Sequence, residues 1–184
     1  MIELHDVSMA YGDKQVLENC SLRFDAPGAY AVLGPSGRGK TTLLRLIAGL
    51  ERPQGGHIAV QKDAKIAYCF QEDRLLPWKT VLGNVTIACG DEAAARLWLE
   101  RVGLGGEENA YPASLSGGMK RRASLARALA FGGDILLMDE PFRALDPETH
   151  AHMLDLIRVA SKGKLLILVT HDEADAEGMQ IIRL

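Results

Sequence analysis

The sequence predicts an α/β fold: a mixed, largely parallel sheet with flanking helices, an antiparallel β part at the N-terminus and an inserted α-helical subdomain. Three observations predict it. Apolar runs at residues 30–33, 135–138 and 164–169 are nearly continuous, as strands buried on both faces require. Stretches with helix caps and stops alternate with them. Residues 2–9 and 20–24 instead alternate apolar and polar, the pattern of half-buried strands.

The organising motif follows the first apolar run. Gly34-Pro35-Ser36-Gly37-Arg38-Gly39-Lys40-Thr41 matches G-x-x-x-x-G-K-[ST]. Its glycines let the backbone curl so that successive N–H groups aim at one point. Residues from Thr42 to Ala48 then read as a helix that ends at Gly49, and its N-terminus adds the positive end of a dipole there. Lys40 can reach terminal phosphates, and the Thr41 hydroxyl can ligand Mg²⁺. With a strand before it and a helix after it, the motif implies a P-loop NTPase core that binds a nucleotide.

In chain order, the strand at 2–9, a turn at Tyr11 to Lys14 and the strand at 20–24 make a hairpin ahead of this loop. Pro53 to Gly56 mark a loop, and residues 57–60 and 66–70 are two further strands. From about Glu72 the character turns helical. Asp91 caps a helix in which Ala94, Leu97, Trp98 and Val102 share one face, with Gly103 at its end. Residues 117–131 form the next helix, with Ala123, Ala126 and Ala130 on one side and Arg127 mostly elsewhere. Its Lys120-Arg121-Arg122 run is expected to be a solvated face. Asp146 and Pro147 open a helix that buries Met153, Leu156, Ile157 and Ala160 and stops at Gly163. Residues 179–184 add a short edge strand. The chain is expected to form one domain, 1–184, with the helical subdomain at about 72–130.

Bulk properties narrow the classes. With 184 residues, 47% hydrophobic and 24% charged, the chain can bury a real core. A net charge of −3 disfavours nucleic acid as a partner. Cys20, Cys69 and Cys89 are far apart in sequence and read as free, packed thiols of a reducing compartment. No run is long enough for a membrane span and residues 1–6 do not read as a leader. The expectation is a cytoplasmic protein that reaches a membrane only through another protein.

Two further motifs narrow the function. The strand at 135–138 delivers Asp139 and Glu140; the first carboxylate can hold Mg²⁺, and the second can polarise a water facing the γ-phosphate. Leu115-Ser116-Gly117-Gly118-Met119 places Ser-Gly-Gly at a helix start, a second anion-binding end. In combination the chain resembles the ATP-binding cassette (ABC) ATPases, whose signature is Leu-Ser-Gly-Gly-Gln. The resemblance covers nearly the whole chain and keeps the family's order. Tyr11 fits the aromatic that stacks on adenine, although packing the hairpin is an ordinary role for it. Gln71 fits the Q-loop glutamine, a metal and water ligand; Ala144-Leu145-Asp146 fits the D-loop; His171 fits the switch histidine. His5, His57, His150 and His152 have no such support.

The resemblance implies ATP and Mg²⁺ as ligands, Lys40, Gln71, Glu140 and His171 as catalytic groups, and Thr41, Gln71 and Asp139 around the metal. It implies two cassettes paired head to tail, with each ATP between one phosphate loop and the other chain's Ser116, Gly117 and Gly118. Hydrolysis would then drive a transmembrane permease, with a substrate-binding protein in the full system. Residues 70–78 look like those of the nitrate, sulfonate and taurine importers. Leu75, Leu76, Pro77 and Trp78 beside Gln71 are expected either to pack the insert or to form the permease's docking patch. The competing expectation is a soluble DNA-repair or chromosome ATPase, disfavoured because no sustained heptads appear. A non-hydrolysing assembly switch is disfavoured by Glu140. Departures from the family are Met119 for the signature Gln, Arg143 where a small residue usually stands, and the absence of the helices and extension many relatives carry beyond His171.

Overall fold

The computed structural model describes residues 1–184. The strands are β1 (Ile2–Tyr11), β2 (Lys14–Phe24), β3 (Gly28–Leu33), β4 (Gly55–Val60), β5 (Ile66–Cys69), β6 (Ile135–Asp139), β7 (Leu165–Val169) and β8 (Gln180–Arg183). The helices are α1 (Lys40–Ile47), α2 (Val81–Cys89), α3 (Glu92–Arg101), α4 (Gly117–Phe131) and α5 (Pro147–Ala160). They fall into two compact units: Met1–Ile66, Asp134–Asp139 and Gly163–Leu184 form the first, Ala67–Gly133 and Glu140–Lys162 the second.

In the first unit, β1 lies antiparallel between β2 and β4. Ile2, Leu4 and Val7 of β1 are buried with Leu17 and Phe24 of β2. The intervening polar positions mostly stay exposed, as alternation demands. A second sheet runs β6-β7-β3-β8 in parallel. All five residues of β6 and of β7 are buried, which is why both read as continuous apolar runs. Leu43, Leu44 and Ile47 of α1 are buried too.

Register decides what this sheet can do. Val32 pairs with Val169, and Val169 with Asp139, so β3, β7 and β6 end at the same level. The phosphate loop, His171 and Asp139 all follow or occupy those carboxyl ends, where open parallel sheets bind ligands.

The second unit packs α2, α3 and α4 on one another. Residues 72–130, the span expected to be a helical insert, fall inside this unit, which also takes in α5. Helix α2 was not foreseen as a separate element. Thr80 caps it by accepting from the Gly83 N–H at 3.1 Å, and Gly90 in the left-handed region stops it. In α3 the buried stripe is Ala95, Leu99 and Val102, not Ala94, Leu97 and Trp98. The sequence is apolar on two adjoining faces, and the Asp91 cap leaves both open; packing selects the i, i+4, i+7 line. Leu97 is exposed, and Trp98 lies beneath the Arg101 guanidinium, 4.8 Å from its ring centroid. In α5 only Met153 and Ile157 are buried; Leu156 and Ala160 stay half-buried because the helix presents a narrower stripe than expected.

The largest correction concerns α4. Arg121 is 2% exposed rather than solvated. It shares the i, i+4, i+7 line with Leu125 and Ala128, both buried. Of the three cysteines, only Cys69 is fully buried; Cys20 and Cys89 are half-buried. Burial pushes the Cys69 thiol above its usual range. No helix is long and apolar enough to cross a membrane.

Candidate functional site

The phosphate loop, Asp139 and His171 gather at the carboxyl ends of the parallel sheet, and Tyr11 ends β1 of the antiparallel one. Gly39 is the N-cap residue of α1 with φ 90°, and a Cβ there would meet the Val16 carbonyl oxygen at 2.6 Å. Only glycine fits both demands. Because the cap residue has no side chain, no side-chain acceptor covers the first-turn N–H groups, and no acid stands in that turn. Those donors and the helix dipole point at the phosphate loop.

Lys40 is buried, 6% exposed, and its Nζ donates to the carbonyls of Gly34 at 2.7 Å and Pro35 at 3.0 Å. Two neutral acceptors hold a buried cation there, an arrangement suited to receiving an anion. Pro35, Ser36, Gly37 and Arg38 are exposed, so the loop's outer face is open. The Thr41 hydroxyl donates to Asp139 Oδ1 at 3.2 Å. A hydroxyl and a carboxylate oxygen side by side are hard donors of the kind Mg²⁺ prefers, so these residues fit that ion.

Tyr11 is 45% exposed, so hairpin packing does not use up its ring. Its hydroxyl donates to Glu51 Oε2 and lies 3.4 Å from the buried Thr42 hydroxyl. Glu51 also accepts from Arg45 at 3.4 Å, so α1 and the loop after it hold the tyrosine by its polar end. Glu51 is a site neighbour that sequence reasoning missed, and it lies outside every motif. His171 is exposed directly after buried Thr170. Thr170 Oγ1 donates to buried Asp175 at 2.6 Å and accepts from the Asp172 N–H at 3.1 Å, which fixes the turn that presents the imidazole.

The second unit carries the remaining groups. Gln71 Nε2 donates to Glu140 Oε2 at 3.3 Å. Glu140 sits at φ 46°, a conformation that a non-glycine residue keeps only under restraint. Ser116 caps α4, its hydroxyl accepting from the Met119 N–H at 3.2 Å. Met119 thus contributes its backbone to the cap, for which the missing signature Gln is not needed. Gly117 is exposed and lines a cavity of about 270 Å³ with Gln71, Arg121 and Arg143.

Arginines of α4 hold the backbone around these groups. Arg121 donates to the carbonyls of Phe70, Gln71, Glu140 and Pro141. Arg127 donates to those of Asp73 and Arg74, at 2.8 and 2.7 Å. Burial lowers the Arg127 pKa, yet a guanidinium stays charged throughout the working range. These ties escape a reading by charge runs, although the helical offset of Arg121 from Leu125 and Ala128 carries the signal.

A phosphate loop, a strand-end carboxylate beside its threonine, a following glutamate bonded to a glutamine and a capped Ser-Gly-Gly helix start define an ABC-type ATPase. The chain belongs to the ABC transporter family, whose pattern it matches over residues 17–143. It is 43% identical over 182 residues to an aliphatic sulfonates import ATP-binding protein of Paracoccus denitrificans (strain Pd 1222), covering 95% of this chain and 74% of that protein. It is 44% identical over 183 residues to one of Rhodococcus jostii (strain RHA1), covering 95% and 67%. The fold superposes with a TM-score of 0.91 and 29% identity on a dimeric, post-hydrolysis ATP-binding cassette bound to ADP and Pi, covering all of this chain and 94% of that one. This chain is an ATPase that uses ATP with Mg²⁺.

Proposed function

We propose that this ATPase powers a bacterial importer of a small organic anion of the aliphatic-sulfonate class. The observation that carries the reading is its 43–44% identity, across 95% of its length, with proteins named for sulfonate import. It would act as one of two head-to-tail copies on the inner face of the membrane, bound to a transmembrane permease and served by a substrate-binding protein.

Each residue has a physical role in this reading. Lys40 and the free N–H groups of the loop and of α1 hold the β- and γ-phosphates. Tyr11, fixed through Glu51, offers its ring to the adenine face. Thr41 and Asp139 would hold Mg²⁺, and the family resemblance adds Gln71 as an oxygen ligand. Held there, the ion would supply positive charge against that developing on the phosphoryl oxygens. Glu140 accepts the proton of the attacking water, oriented by Gln71, and His171 steadies the departing γ-phosphate. Ser116, Gly117 and Gly118 present their helix start to the nucleotide of the second copy, as the family resemblance implies.

The test is reconstitution with the cognate permease in proteoliposomes, following uptake of an alkanesulfonate against nitrate and taurine. Sulfonate uptake should require ATP. Glu140→Gln should cut turnover by at least about 100-fold while ATP still binds, because an amide cannot take the water's proton. Permease-independent ATPase with no uptake of any of the three solutes would overturn the importer reading.

A further inference from the structure

We propose that Arg121 is the positioning residue that aligns Glu140 and Gln71 for hydrolysis, acting through their backbones. The proposal rests on the ATPase reading of Glu140. One buried guanidinium spans two segments about 70 residues apart in sequence. Its Nε donates to the Pro141 carbonyl at 2.9 Å and one Nη to the Glu140 carbonyl at 2.8 Å. The other Nη donates to Phe70 at 2.5 Å and to Gln71 at 3.3 Å, and lies 3.5 Å from an Asp73 carboxylate oxygen that balances its charge.

Two features make this more than a staple. Glu140 is held at φ 46°, and the bonds to its own carbonyl and the next one restrain that conformation. The side chains of the two clamped residues meet, Gln71 Nε2 donating to Glu140 Oε2 at 3.3 Å. The clamp therefore sets the separation of the base from the group that orients its water. Only a planar fork with donors on both edges reaches both segments; lysine's donors share one nitrogen. By contrast Arg122 donates only to Val102 and Gly103, at 2.8 and 2.6 Å, and touches neither Gln71 nor Glu140.

The experiment compares Arg121→Gln, Arg121→Lys and Arg122→Gln by steady-state MgATP hydrolysis, trinitrophenyl-ATP binding and thermal melting. The clamp predicts kcat down about 100-fold for Arg121→Gln and about tenfold for Arg121→Lys, with KM for ATP within about threefold, since displacement at the reacting centre costs rate and not affinity. Arg122→Gln should keep kcat within about twofold, however far its melting point falls. Added to Glu140→Gln, Arg121→Gln should cost nothing further, because residues acting as a unit are non-additive. If Arg121→Gln does not fold, Arg121→Lys decides: a tenfold loss supports the clamp and wild-type kcat overturns it. A kcat loss additive with Glu140→Gln, or matched by Arg122→Gln at equal loss of melting temperature, also overturns it. An inactive Glu140→Gln beside fully active Arg121 variants sinks the clamp alone; a fully active Glu140→Gln sinks the assignment of the base.

Discussion

Arg143 stands where the family usually has a small residue, and the structure leaves its side chain exposed at the cavity lined by Gln71 and Gly117. Its successor Ala144 holds φ 63°, so the turn that carries the cation is tightly shaped. In the proposed head-to-tail pair, this long cation beside the exposed helix start of α4 would meet a phosphate or carboxylate of the second copy. Arg143→Ala should weaken ATP-held pairing by about two- to fivefold, the range exposed charge pairs contribute, with no change in monomer folding. Light scattering of the Glu140→Gln background with ATP, at low and high salt, measures it. An affinity unchanged at low salt would return Arg143 to solvent. Met119, the other departure at this scale, donates its N–H to the Ser116 cap of α4.

At the level of elements, α2 does something its sequence does not advertise. Asn84 is fully buried on it, accepting from the Leu76 N–H at 2.7 Å and donating to the carbonyls of Leu76, Lys79 and Thr80. One amide thus ties the end of the segment between Gln71 and α2 to the helix: it alone pairs the Leu76 N–H and the Lys79 carbonyl, and it adds to the backbone bonds that the Leu76 and Thr80 carbonyls already accept. Asn84→Ala should cost about 1–3 kcal/mol, the penalty of leaving the Leu76 N–H and the Lys79 carbonyl without their partner. A urea midpoint that falls with the m-value unchanged, together with faster amide exchange at Leu76 and Lys79, would show it. Slower unfolding or an unshifted midpoint would mean that the loop holds itself. Helix α4 plays the matching part from its other face, where Arg121 and Arg127 bond the carbonyls of residues 70 to 74.

For the molecule as a transporter component, the segment so held ends in Trp78, which is 71% exposed, with Pro77 also exposed and Leu75 and Leu76 half-buried. A tryptophan with that much of its ring in water, on a loop fixed by Asn84, fits the docking alternative better than the packing one. Ile87 of α2 is 59% exposed as well. Since Gln71 begins the same segment, a permease docked there would bias the proposed hydrolytic site. Trp78→Glu should leave melting and basal ATPase within about twofold of wild type, as surface substitutions usually do, and abolish stimulation by the permease. Unfolding of the variant would show the ring to be core; unimpaired coupling would place docking elsewhere.

The phosphate loop, Asp139, Glu140 and the capped Ser116 were legible because each is a local event: a few adjacent residues whose backbone shape and chemistry depend on one another. The parallel strands were legible because burial on both faces writes itself as an apolar run. The burial of Arg121 is written in its offset from Leu125 and Ala128, but its partners are not, because Phe70, Gln71, Glu140 and Pro141 contribute carbonyls, which every residue has and no side-chain pattern reports. The stripe of α3 and the tie from Tyr11 to Glu51 escaped for a related reason: several choices were compatible with the sequence, and only packing against other elements selected one. By itself the sequence determined the fold class, the nucleotide and the groups proposed for the chemistry. Tertiary structure alone decided how those groups are held, since the free energy of a buried guanidinium or amide depends on which carbonyls the fold brings within reach.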